Sequence, residues 1–284
     1  MNQSIHTICV IGAGTMGSGI AQVAAQSGFY TLLLDINPAA LEKASASIDK
    51  NLQNLVSKNK LTPEEKETVM KRIRFISDTN DGIADVIIEA IIEKTEAKIS
   101  IFNQLAEVNH ADVIFATNTS SLSVSAIQSG VNHPERVVGM HFFNPAPVMK
   151  LVEVVKGDHT AEHVARTIYE LCLQLNKTPV ICKDAPGFIV NRVARQYYLE
   201  AMKLVEAGVV SIEHADEIME ASGFKLGPFK LMDLIGMDVN LAVTQSLYQA
   251  FNNEERFKPS SLQTDKVAKG ELGRKTGKGF YIYS

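Results

Sequence analysis

Short apolar runs alternate with longer stretches of helical spacing along the first two thirds of the chain. Residues 8–11, 30–34, 85–90, 112–116, 137–141, 151–155 and 179–181 are mostly apolar and are bounded by polar or turn-forming residues, the pattern of strands buried on both faces. Behind the first run, Ile20, Val23 and Ala24 continue an apolar stripe at helical spacing, and Gly28 marks its end. Asn37-Pro38 opens another helix, through Leu41, Ala44, Ile48, Leu52 and Leu55, and Thr62-Pro63-Glu64-Glu65 has the cap, the proline and the acids of a third. These two predict a helical hairpin inserted into the alternating region. Strands separated by helices predict an α/β fold, a doubly wound, mostly parallel sheet with helices on both faces.

The pattern changes at Asp184-Ala185-Pro186-Gly187. Beyond it strand-like runs nearly vanish until 279–283, while 188–206, 212–221 and 238–250 are helical in period. The expected division is a domain at 1–185 and a smaller, all-helical domain at 186–284. The apolar faces of those helices exceed what so small a bundle needs for itself, which points to a homodimer formed through this domain.

Composition narrows the class without changing it. The 284 residues are 45% hydrophobic and 21% charged, ordinary for a folded chain. A formal net charge of -4 with scattered basic residues gives no footprint for nucleic acid. Cys9, Cys172 and Cys182 are widely spaced in apolar surroundings, which fits buried reduced thiols better than disulfides or a metal site. With no basic and apolar leader at the start and no run near the ~20 apolar residues of a membrane span, the expectation is a cytosolic, membrane-free protein.

The chemistry begins at Gly12-Ala13-Gly14-Thr15-Met16-Gly17, between the first strand and the first helix. Gly12 suits the tight turn, Gly14 lets the backbone approach a pyrophosphate, and Gly17 lets helix and strand lie close. The helix start offers unpaired N–H groups and a positive dipole end to that pyrophosphate. Asp35, at the end of the second strand, suits a ribose with free hydroxyls and repels a 2'-phosphate, so the reading is NAD rather than NADP. Further on, His141 is followed twelve positions later by Glu153, a candidate proton acceptor with a carboxylate to orient it. Together the two features suggest hydride transfer coupled to proton transfer.

Several segments carry a resemblance over essentially the whole chain. They are Gly12 to Gly17, Thr117-Asn118-Thr119-Ser120-Ser121-Leu122, His141-Phe142-Phe143-Asn144-Pro145 with Glu153, Pro186-Gly187-Phe188-Ile189-Val190-Asn191-Arg192, and Gly273-Arg274-Lys275-Thr276-Gly277-Lys278-Gly279-Phe280-Tyr281. In order and spacing they resemble the L-3-hydroxyacyl-CoA dehydrogenase family, in particular its short bacterial 3-hydroxybutyryl-CoA members. The resemblance implies a Rossmann-type NAD domain and an acyl-CoA substrate, with the active site in a cleft between two domains. It also implies His141 as general base and acid, Glu153 as its orienting partner, and Ser120 and Asn191 as groups that polarise and position the reacting oxygen. For the cofactor it implies Gly12, Gly14, Thr15, Met16, Gly17 and Asp35, with Glu93, Lys98, Asn118, Ser120, Asn144 and Lys275 toward the nicotinamide side. Lys50, Lys58 and Lys60 of the helical hairpin are candidates for the CoA phosphates. The stretch 223–236 departs from the butyryl members and resembles relatives that act on 3-hydroxyadipyl-CoA. A dicarboxylic tail needs a cation, for which Lys225, Arg192 and Arg195 are candidates.

Overall fold

The first glycines separate a strand from a helix. The structure, a computed structural model describing residues 5–283, places β1 at Thr7–Ile11 and α1 at Thr15–Gln26, with Gly12 between them at φ +96°. There follow β2 (Tyr30–Leu34), α2 (Pro38–Ser57), α3 (Pro63–Lys71), β3 (Ile73–Ile76), β4 (Val86–Glu89), α4 (Thr95–Val108) and β5 (Ile114–Thr117). The first unit is completed by α5 (Val124–Gln128), β6 (Val137–Phe142), β7 (Leu151–Lys156), α6 (Glu162–Gln174) and β8 (Thr178–Lys183). The eight strands form one sheet in the order β3-β2-β1-β4-β5-β6-β7-β8. Its first six strands have the doubly wound order, and the carboxyl ends of β1 and β4 flank the point where the winding reverses, the place where such sheets bind ligands.

Two details go beyond the sequence expectation. β3 was not anticipated: four residues directly after α3, with Arg74 exposed, carry too little apolar signal. The sheet is mostly parallel, as expected; the exception, whose place the sequence did not indicate, is β7, which runs antiparallel to β6. Eight residues join these strands, fewer than the dozen or more that a parallel crossover needs.

The hairpin of α2 and α3 stands where it was expected. Asn37 Oδ1 caps α2 by accepting from Ala39 N at 3.1 Å. At α3 a full capping box forms: Thr62 Oγ1 accepts from Glu65 N at 3.2 Å, and Glu65 Oε2 accepts from Thr62 N at 2.7 Å. Leu41, Ala44, Ile48 and Leu52 bury the inner face of α2 in a core shared with Val10, Ile20, Ala24 and Leu33.

The chain divides into two compact units after Ala185, and the second, Pro186–Ser284, is helical. It contains α7 (Val190–Glu206), α8 (Ile212–Ala221), α9 (Pro228–Ile235), α10 (Met237–Ala250) and α11 (Ser261–Ala268). Tyr198, Leu199, Met202, Phe229, Met232 and Met237 form its core. The run 279–283 is not a strand; it joins one isolated bridge, Lys278↔Ile282, and turn bonds such as Gly279 N to Tyr281 O at 2.8 Å and Tyr283 N to Gly277 O at 2.9 Å. Side chains hold this tail instead, because the Asp233 carboxylate accepts from Phe280 N, Tyr281 N and the Tyr283 hydroxyl, each at 2.9 Å. Among the described residues no helix is long and apolar enough to cross a membrane.

Candidate active site

The antiparallel turn from β6 to β7 explains the spacing of His141 and Glu153. Their Cα atoms are register partners across the two strands, so the side chains stand beside each other on one face of the sheet. His141 Nδ1 lies 2.7 Å from Glu153 Oε2, with the residues 3% and 1% exposed. A carboxylate can only accept, so Nδ1 carries the proton in this pair and Nε2 is the basic nitrogen. The Phe143 ring packs against the imidazole, with centroids 4.6 Å apart.

The glycine turn has the geometry a dinucleotide requires. A Cβ on Gly17 would fall 1.7 Å from the Gly12 carbonyl oxygen, and one on Gly12 would fall 2.7 Å from the Ala90 carbonyl oxygen, so neither position accepts a side chain. A Cβ on Gly14 would meet nothing within 4 Å, which leaves its surface open to a ligand. Asp35 Oδ2 accepts from Ala13 N at 2.8 Å and Oδ1 from Asn37 N at 2.9 Å, fixing the carboxylate beside the turn. Gly14, Thr15, Asp35 and Asn144 line a cleft of about 470 Å³ together with Lys43 and Ala146. Met16 turns the other way and packs against the core. The residues present therefore fit an NAD whose pyrophosphate meets the start of α1.

Lys177, which sequence reasoning passed over, supports the rim of this cleft. The residue is 7% exposed, and its ammonium donates to the carbonyl oxygens of Ala146 and Met149 in the β6–β7 loop. Burial, followed by the nearby Lys150 charge, holds its pKa below the ordinary lysine value.

Glu93, Lys98, Asn118 and Ser120 come together at the ends of β4 and β5. Asn118 Oδ1 accepts from Phe142 N at 2.8 Å, tying the end of β5 to the residue after His141. Glu93 Oε1 accepts from Thr119 Oγ1 at 2.6 Å and from the backbone N–H groups of Ser120 and Ser121 at 2.8 and 3.0 Å. Burial pushes the Glu93 carboxyl up, but Lys98 and the bonds from Thr119 and Ser120 outweigh it and hold the pKa below the usual value. Lys98 is not part of a solvated helix start. It is 1% exposed, and its ammonium lies 2.7 Å from Glu89 Oε1 and 3.1 Å from Glu93 Oε2. The cap of α5 falls to Ser123, whose hydroxyl accepts from Ala126 N at 3.1 Å, rather than to Ser120.

The remaining expected residues are distributed more widely. Lys50, Lys58 and Lys60 are exposed on and just after α2, and with Lys43 they make no ion pair among the described residues. Asn191 stands in the first turn of α7, in the second unit. Lys275 also belongs to that unit, where its ammonium is 2.6 Å from Asp238 Oδ2, so the expected dinucleotide contact competes with an existing ion pair. Arg195 does not serve as a free cation. It is 2% exposed, and Nη1 donates to Asn240 O, Asn240 Oδ1 and Thr244 Oγ1 at 3.0, 3.0 and 2.9 Å.

A doubly wound sheet with this glycine turn, an acidic residue ending β2 and a buried His–Glu pair at the strand ends defines an NAD-binding dehydrogenase domain. Residues 7–185 match the model of the 3-hydroxyacyl-CoA dehydrogenase NAD binding domain, and residues 187–283 match that of the C-terminal domain. The chain is 49% identical over 280 residues to a 3-hydroxyadipyl-CoA dehydrogenase of Escherichia coli K12, covering 98% of this chain and 59% of that longer protein. It is 42% identical to a probable 3-hydroxybutyryl-CoA dehydrogenase of Deinococcus radiodurans, covering 96% and 99% of the two chains. The crystal structure of (S)-3-hydroxybutyryl-CoA dehydrogenase from Ralstonia eutropha superposes with a TM-score of 0.94 at 39% identity, covering 99% and 100%. The chain belongs to the 3-hydroxyacyl-CoA dehydrogenase family.

Proposed function

We propose that the chain catalyses the reversible NAD-dependent oxidation of short-chain L-3-hydroxyacyl-CoA, with 3-hydroxybutyryl-CoA and acetoacetyl-CoA as the substrate pair. The observation that carries this reading is the buried 2.7 Å bond between His141 and Glu153 in the same sheet as the dinucleotide turn. NAD, when bound, supplies the hydride acceptor. His141 Nε2 takes the hydroxyl proton during oxidation and returns it to the ketone during reduction. Glu153 holds Nδ1, fixes the tautomer and stabilises the imidazolium. Ser120 and Asn191 polarise and position the reacting oxygen. The glycine turn from Gly12 to Gly17 holds the pyrophosphate, and Asp35 the adenosine ribose. Glu93, Asn118 and Asn144 line the nicotinamide side, with Lys98 acting from beneath Glu93. Lys50 and Lys58 meet CoA phosphates; their exposure and their lack of carboxylate partners among the described residues support that role.

The protein works as a cytosolic homodimer. Its three cysteines are free thiols, as in a reducing compartment. In the second unit Tyr197, Ala201, Leu204, Val210, Ile218 and Met219 line an apolar groove, and Leu204 and Ile218 are 46% and 63% exposed.

A second reading, a dicarboxylic acyl chain, is favoured by the name of the Escherichia coli relative. With Arg195 engaged, exposed Lys225 and half-buried Arg192 remain as cations for the distal carboxylate. Comparing kcat/KM for 3-hydroxybutyryl-CoA and 3-hydroxyadipyl-CoA with NAD decides between them. A ratio of at least tenfold for the butyryl substrate supports the first reading, and the inverse ratio replaces it with the second.

A further inference from the structure

Ser120 sits on a turn that has little regular structure of its own. Residues 118–123 link β5 to α5 outside helix or strand, yet the reaction needs a hydroxyl there at fixed geometry. The Glu93 carboxylate holds this turn, since one of its oxygens gathers Thr119 Oγ1, Ser120 N, Ser121 N and Ser121 Oγ within 3.1 Å. Glu93 itself lies in a loop, between β4 and α4, and its side chain is 37% exposed, so something must hold the holder.

We propose that Glu89 and Lys98 are positioning residues for the reaction, a buried carboxylate and ammonium that fix Glu93 and, through it, the turn carrying Ser120. The inference rests on the proposed role of Ser120. Glu89 ends β4 and is fully buried. Its Oε1 accepts from Lys98 Nζ and from Ile91 N, each at 2.7 Å, and its Oε2 accepts from Thr117 Oγ1 at 2.7 Å. Every partner of that carboxylate is therefore part of the surrounding frame: the β4–α4 loop, α4 and β5. Lys98 then reaches Glu93 Oε2 at 3.1 Å, leaving Glu93 Oε1 for the turn. A single buried ammonium between two carboxylates neutralises one of them and leaves net negative charge, which suits bonding to the N–H groups of the turn. Without Lys98 the Glu93 carboxylate would lose the one cation that faces it among the described residues; the other groups that face it are Thr119, Ser120 and Ser121, with Glu89 behind the lysine.

The test is a double-mutant cycle between Lys98→Met and Ser120→Ala, read as kcat for acetoacetyl-CoA reduction at saturating NADH. Misplacement of a positioned group by about 1 Å costs on the order of a hundredfold. Lys98→Met is therefore expected to lower kcat at least tenfold with Ser120 present and less than threefold in the Ser120→Ala background. The Lys98→Met enzyme should also lose activity at higher pH than wild type on the acid side, because Glu93 protonates more readily without its cation. Glu93→Gln, at a partly exposed position, serves the same cycle if Lys98→Met fails to fold, with the same non-additivity expected. Equal losses in both backgrounds, or a Lys98→Met kcat within twofold of wild type, overturn the inference while leaving the functional reading intact. Absence of wild-type turnover overturns the functional reading and this inference with it.

Discussion

Replacing Glu153 by glutamine removes one charge and little else. Glutamine keeps the shape of the side chain and an oxygen that can accept from His141 Nδ1, so the β6–β7 register and the 2.7 Å contact can survive. What disappears is the attraction between a carboxylate and the imidazolium that forms as the substrate proton is taken. Both residues are at most 3% exposed, so solvent screens that attraction weakly. For full unit charges about 4 Å apart at an effective dielectric of ~20 the attraction is about 4 kcal/mol. With about half the charge developed in the transition state, roughly 2 kcal/mol is lost, a fall of about 30-fold in kcat/KM. The assay is 3-hydroxybutyryl-CoA oxidation followed by NADH absorbance, with NADH affinity and Tm measured on the same preparation. A Glu153→Gln enzyme that folds, binds NADH normally and stays within threefold of wild type would refute the role given to Glu153.

Gly17→Ala forces a Cβ to within 1.7 Å of a backbone oxygen, so strand and helix must separate; overpacking of about 1–3 kcal/mol corresponds to a Tm fall of roughly 2–12 °C, and NADH affinity should fall at least tenfold. Unchanged NADH affinity would contradict the close packing of α1 on the turn. Asp35→Ala removes the carboxylate proposed to hold the ribose and should lower the NADH over NADPH preference in kcat/KM at least tenfold; an unchanged preference removes Asp35 from that role. Glu271 accepts from Lys266 and pairs with Lys278, and these bonds lower its carboxyl to about 2 from the ordinary 4.5. A depressed acid stabilises the fold above its unfolded pKa, and that part is lost as the pH falls from 4.5 to about 2, so the Tm of Glu271→Gln should vary less than wild type across that window. A Tm difference between the two proteins that stays constant over the window would contradict it.

Much of the first unit was legible because its signals are local. The glycines, Asp35, the proline starts of α2 and α3 and the buried strands each depend on a few neighbouring residues. What escaped reading depends on partners far along the chain. Glu89 looks like the polar end of a strand until Lys98, nine residues on, and Thr117, across the sheet, are seen to enclose it. Lys177 gives no sequence signal at all, since its partners are backbone carbonyls 28 and 31 residues away. The short helices α9 and α11 have eight residues each, too few turns for a stripe to stand out, and Gly227-Pro228 reads as a break before it reads as a helix start. The mostly parallel sheet was expected, but which strand reverses was not assigned, although the eight-residue connection into β7 is too short for a parallel crossover. Arg195 shows the opposite error: its charge suggested a substrate contact, and the second unit's own polar groups enclose it.

The central claim is that His141 moves the substrate proton in an NAD-dependent hydroxyacyl-CoA dehydrogenase. Its most direct test is NADH consumption with acetoacetyl-CoA by wild type and by His141→Asn, with NADH affinity measured on both. The account predicts rapid consumption by wild type and, because a general acid contributes about 10²- to 10⁴-fold, a loss of at least a hundredfold in the variant at unchanged NADH affinity. Silence from the wild-type enzyme, or a variant that retains more than a tenth of the activity, would contradict it.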